Sequence, residues 1–117
     1  MRAHHDARVA YDVDLADRIR ELVATEPALD EKRMFGGLAF LLDGRLAVAA
    51  GGKGALMVRV DPARTDEFVA RPGAERMVMR GKALDGWLHV DPEVLDDASL
   101  RRWVAEGVAY VRSLPGR

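Results

Sequence analysis

Apolar residues follow two rhythms along the chain. Leu15, Ile19, Leu22 and Val23 recur at intervals of three and four, as on one face of a helix; Asp12 or Asp14 stands at the N-cap position and Pro27 follows the end. Leu100, Trp103, Val104, Val108 and Val111 form a second stripe, predicting a helix over 97–113 that Asp97 caps and Leu114-Pro115-Gly116 ends. Between these stripes the rhythm changes to runs and alternation. Met34 to Leu42 is an apolar run, Asp43-Gly44 is a hairpin turn signal, and Arg45 to Ala50 answers as a second run. Ala55 to Val60 reads as a third strand, Glu75 to Arg80 and Trp87 to Val90 as two more joined by a glycine-bearing loop. Asp61-Pro62 starts a short helix with Phe68 and Val69 on its buried side, and Arg71-Pro72-Gly73 stops it. The predicted order is α-β-β-β-α-β-β-α, a single α+β domain over 12–117 with a mainly antiparallel five-stranded sheet, preceded by a flexible tail over 1–11.

Pairing across the Asp43-Gly44 turn sets an expected division of side chains. Leu42 opposite Arg45 and Phe40 opposite Ala47 would put Leu41, Leu46 and Val48 on one face, joined by Leu56, Val58, Val60, Val78, Leu88 and Val90 as the bed for the helices. The other face would carry Met34, Leu38, Phe40, Met57, Met77, Met79 and Trp87 beside Arg45, Arg59 and His89. A surface so rich in methionine and aromatic groups is expected to meet a partner, and a homodimer covers it most simply. Its expected contact residues are Met34, Phe40, Met57, Arg59, Met77, Met79 and Trp87. The competing arrangement has a helix crossing this face, or a bulge at Gly36-Gly37 that exchanges the faces locally.

Charge narrows the classes of partner. The formal net charge is -1, so no overall field draws the chain to nucleic acid or an anionic membrane, and the longest apolar run is far too short to span a bilayer. One local basic segment, Arg71, Arg76, Arg80 and Lys82, offers an alternative reading as a weak nucleic-acid site. With no cysteine and no apolar leader, a cytoplasmic location is expected.

Reactive groups are sparse. The serines are Ser99 and Ser113, near the ends of the last helix, and the threonines Thr25 and Thr65 fall at helix margins, which leaves few members for a nucleophile-base set. His89, in a strand, has Asp91 near it in sequence but no second base, and reads as a half-buried structural histidine. His4-His5 lacks a third metal ligand, and Asp91, Glu93, Asp96 and Asp97 precede the last helix, where capping explains them. Gly51-Gly52-Lys53-Gly54 resembles a phosphate loop only superficially, because no Ser or Thr follows the lysine and a strand, not a helix, comes next. A non-enzymatic module without a cofactor is expected, with a small-ligand pocket or an enzyme of other chemistry as alternatives.

Several blocks in order carry a family resemblance: Lys32-Arg33-Met34-Phe35-Gly36-Gly37-Leu38-Ala39-Phe40, Leu56-Met57-Val58-Arg59-Val60, Arg71-Pro72-Gly73-Ala74, Gly86-Trp87-Leu88-His89-Val90-Asp91-Pro92 and Ser113-Leu114-Pro115. Over Leu15 to Pro115 the sequence resembles the N-terminal domain of the TfoX family. The resemblance implies a compact α+β domain like that of secretion chaperones. It further implies kinship with bacterial competence regulators, which act with a protein partner in transcription and carry a second, helical domain that this sequence, ending at Arg117, lacks. It brings no catalytic residues.

Overall fold

The computed structural model describes residues 11–115 apart from Phe35 and Lys53; the His4-His5 pair and all but Tyr11 of the expected tail lie outside the described residues. Helix α1 spans Val13–Val23, with the Asp12 carboxylate accepting from the Leu15 amide at 3.1 Å. Strands β1 (Leu29–Met34), β2 (Gly37–Leu42), β3 (Arg45–Ala50) and β4 (Leu56–Arg59) follow. A 3-10 turn over Pro62–Arg64, capped by Asp61, leads into the short helix α2 (Thr65–Val69). Strands β5 (Ala74–Met79) and β6 (Lys82–Val90), a second 3-10 turn over Pro92–Val94 and helix α3 (Asp97–Ser113) complete the chain. The strands form one sheet in the order β1-β2-β3-β4-β6-β5, every neighbouring pair antiparallel.

The expected five strands are therefore six. The additional one, β1, has the sequence Leu-Asp-Glu-Lys-Arg-Met and lies at a sheet edge, where charged side chains reach solvent and leave little apolar alternation to read. Met34 ends β1 and Gly37 begins β2, the two standing opposite each other, so the apolar run Met34 to Leu42 is divided between two antiparallel strands. The second hairpin also differs: Arg80 and Gly81 make the turn between β5 and β6, both at positive φ, and β6 starts at Lys82 rather than Trp87. Asp96, not Asp97, caps α3, its carboxylate accepting from the Ser99 amide at 2.8 Å. Asp91 likewise accepts from the Glu93 amide at the second 3-10 turn, so the acidic segment before α3 is built largely from caps.

The helices pack on one face of the sheet. Leu15, Ile19 and Val23 of α1, Phe68 of α2, and Leu100, Trp103 and Val104 of α3 share a core with Leu38, Phe40, Val48, Ala50, Leu56, Val58, Leu88 and Val90. The Trp103 and Phe68 rings meet at 6.0 Å between centroids. Leu38 and Phe40 thus lie under the helices, contrary to expectation, while Leu41 and Leu46 lie on the opposite face. Arg45 is also displaced from that face; it donates to the Pro115 carbonyl beyond the end of α3.

A β-bulge causes the exchange. Leu42 pairs with Arg45 and Leu41 with Leu46, but Phe40 pairs with Val48 rather than Ala47, so one extra residue of β3 is inserted and the alternation reverses beyond it. The bulge sits at Ala47, not at Gly36-Gly37. Gly107 of α3 lies directly over it: a Cβ at Gly107 would stand 2.6 Å from the Ala47 carbonyl oxygen and 2.9 Å from Val48 Cγ1. The backbone oxygen cannot swing aside as a side chain could, so helix and bulge are fitted to each other through a missing methyl group.

Thr65 is the buried polar residue of the core. Its hydroxyl donates to the Pro62 carbonyl at 2.7 Å and accepts from the Gly86 amide at 2.8 Å, joining the start of α2 to a kink in β6 where Gly86 has φ 83°. That kink accompanies a register shift between β5 and β6, from Arg76 opposite Leu88 to Val78 opposite Ala83.

Two stability measurements check this packing. Gly107→Ala should destabilise the domain by ~1–3 kcal/mol, as overpacking does, and an unchanged denaturation midpoint would show that α3 can lift from the bulge freely. Trp103→Ala removes a buried anchor and should cost ~3–5 kcal/mol; a midpoint equal to that of the parent would place the α3 stripe in solvent.

Candidate interaction surface

The face away from the helices carries a second apolar cluster made of strand residues alone. Ala39, Leu41, Leu46, Ala49, Met57 and Met77 are buried there, and Met34, Leu84 and Trp87 pack partly buried against them. Register explains the grouping. Met57 of β4 stands opposite His89 of β6, His89 stands opposite Glu75 of β5, and Met77 and Met79 follow Glu75 at alternate positions on the same face. Arg59 stands opposite Trp87 with its guanidinium 5.2 Å from the ring centroid and also lies 5.4 Å from the Tyr110 ring of α3. The aromatic partners hold its charge at the margin of the apolar cluster.

Of the seven expected contact residues, the structure brings Met34, Met57, Met77 and Trp87 into this cluster, with Arg59 beside Trp87. Met79 continues the same face and is 45% exposed. Phe40 does not belong: it is buried under the helices, with Arg20 stacked 5.9 Å from its ring centroid. Most of the face is already buried within one chain. Among the described residues, the large apolar side chains that stay exposed are Val78, at 64%, and Met79, adjacent to each other near the end of the edge strand β5.

Both residues border an open trough of about 700 Å³, with Met57 and Met77 along it, His89 and Glu75 in its wall, and Gly51, Gly52 and Gly73 at its rim. The glycines keep the rim low. Val78, expected in the helix bed, is instead 64% exposed and borders the trough. The extent of the helical layer is set by tertiary packing and leaves no mark in the alternation of β5.

The basic segment is dispersed by its own neighbours. Arg71 pairs with Glu106 at 3.1 Å and stacks 4.8 and 4.9 Å from the centroids of Phe68 and Trp103. Arg76 bonds Asp66 at 2.6 Å and Asp85 at 3.0 Å, and these two carboxylates raise its pKa above the ordinary arginine value. Arg80 and Lys82 are exposed at the β5–β6 turn. Elsewhere Arg20 grips Glu31 through two bonds of 2.6 and 2.9 Å, tying α1 to β1 and holding the Glu31 carboxyl below its usual pKa. Among the described residues, no three His, Cys, Asp or Glu side chains gather closely enough to hold a metal ion.

Burial in the trough wall holds the His89 imidazole below the ordinary histidine pKa, with the Glu75 carboxylate pulling the other way. A folded state that resists protonation more than the unfolded one loses stability as pH falls. The loss should begin near the unfolded value, about 6.5, and level off below the folded pKa. Depressed carboxylates such as Glu31 act at lower pH. Denaturation midpoints measured from about pH 7.5 to 5 should therefore fall, and His89→Gln should flatten the fall; an identical slope in the variant would assign it to another group.

Among relatives, no curated protein and no solved structure matches the chain. The family model described as the TfoX N-terminal domain matches residues 21–110, from within α1 to within α3, and so takes in the whole sheet and the Ala47–Gly107 contact. With that match over most of its length, the chain belongs to the TfoX N-terminal domain family.

Proposed function

We propose that this domain is a non-enzymatic protein-interaction module of bacterial transcription control, working in the cytoplasm, and that a second copy of the chain is among its partners. The single observation that carries the reading is the adjacent exposed pair Val78 and Met79 on the edge strand β5, alongside the Met-lined trough. Flexible thioethers beside an open sheet edge suit contact with another polypeptide. Membership of the family supports a competence-regulator-like domain. Its action in transcription would then run through a protein partner and not through direct reading of DNA.

The charge arrangement favours that route. Arg71 and Arg76 are engaged by Glu106, Asp66 and Asp85, which leaves Arg80 and Lys82 as the accessible part of the basic segment, too few for a phosphate track. Fluorescence anisotropy with a mixed-sequence duplex at physiological salt should show at most weak, non-specific binding, with dissociation constants no tighter than about 1 µM. Submicromolar affinity that disappears in the Arg80→Ala, Lys82→Ala double variant would overturn the reading in favour of nucleic acid. Light scattering over a concentration series should show a reversible dimer, and a monomer at every concentration would remove the second copy from the list of partners.

A further inference from the structure

The sheet has two edges with opposite character. At β1 the residues Asp30, Lys32 and Arg33 are exposed, and charge at an edge opposes pairing with another strand. At β5 the run Met77-Val78-Met79 reaches the edge, where alternation sets Val78 opposite in facing to the two methionines and all three residues border the trough. Apolar exposure on both sides of one edge strand is what an added strand covers, since its own side chains alternate across both faces. A helix lying on one face would leave the other side chain wet.

We infer that β5 pairs antiparallel with β5 of a second copy, extending the sheet across a twofold axis that passes midway between the two copies of Val78. The inference rests on the interaction-module reading above and specifies its geometry. A twofold normal to the sheet keeps each face continuous, so it must be centred on a residue, with residues equally distant from the centre opposite each other. Centred on Val78, it sets Val78 against the partner's Val78, and Met77 against the partner's Met79 twice over, so all the apolar groups of the run meet one another. Centred on Met77, it would set Val78 against the partner's Arg76 and Met79 against the partner's Glu75, apolar against charged. The Val78-centred pairing also sets Arg76 opposite the partner's Arg80, and the repulsion is offset because Asp66 and Asp85 already bind Arg76. The near-zero net charge leaves little repulsion between copies at longer range.

One strand pairing and the side chains beside it make a small interface, at the low end for specific complexes, so the dimer is transient with a dissociation constant on the order of 10 µM. The chain has no cysteine, which makes single-cysteine cross-linking unambiguous. Under mild oxidation at concentrations above that constant, Val78→Cys should form a covalent dimer, whereas Lys32→Cys on the opposite edge should not. A mixture of Met77→Cys and Met79→Cys chains should cross-link to each other more than either does to itself. In sedimentation equilibrium, Val78→Glu, at an exposed position that the fold tolerates, should weaken self-association by at least about tenfold. A dimer whose Val78→Cys variant stays uncross-linked and whose Val78→Glu variant associates normally would overturn the edge pairing while leaving the interaction reading intact. Monomers at all concentrations would overturn the self-association in both. Preferential self-cross-linking of Met77→Cys would overturn the Val78-centred register.

Discussion

The contact between Gly107 and the bulge at Ala47 governs how this domain is put together. The helix can lie this close to β3 only because it carries no side chain at the point of contact, and the bulge is what turns Leu41 and Leu46 away from α3 while keeping Val48 beneath it. Were the strands paired without the bulge, Ala39 rather than Phe40 would stand opposite Val48, and β2 would present Ala39 and Leu41 to the helices in place of Leu38 and Phe40. The largest fully buried ring of the sheet, Phe40, depends on that one irregularity.

Much of this architecture is legible from pattern. The stripe Leu100, Trp103, Val104 and Val111 predicts α3 with its boundaries, and the Asp43-Gly44 turn fixes the pairing of Leu42 with Arg45 because both turn residues take positive φ. What pattern cannot reveal is where alternation is interrupted. Ala47 is chemically unremarkable in a run of alanines and aliphatics, and nothing in Arg45-Leu46-Ala47-Val48 marks it as the inserted residue; its marker, Gly107, lies sixty residues later on another element. Strand β1 escapes for a different reason. Its charged residues are satisfied at long range, Glu31 by Arg20 and Arg33 by the Tyr11 ring at 5.7 Å, so they carry no local strand signal. Met57, Met77, Met79 and Trp87 of the second face are legible because the short segments that carry them, Leu56–Arg59, Ala74–Met79 and 87–90, each alternate regularly.

The arginines also repay attention as structural parts. Arg18 donates to the Leu95 carbonyl at 2.8 Å and meets Asp97, Arg112 reaches Glu26 and the Pro27 carbonyl, and Arg71 fills the space between Phe68, Trp103 and Glu106. Each spans two elements distant in sequence with a planar group that bonds and stacks together. These arginines supply struts between α1, α2 and α3, and a count of positive charges alone would mistake them for a ligand surface.

The unlike edges of the sheet bear on how far assembly can go. A strand edge that welcomes a copy of itself can seed an endless ribbon, provided the far edge welcomes another. Here the far edge is β1, studded with Asp30, Lys32 and Arg33, so a pairing through β5 uses up the permissive edge of each copy and presents a charged one at both ends. Under that pairing growth would stop at two, and the same apolar run that would be a fibril hazard in a symmetric sheet would terminate its own polymerisation.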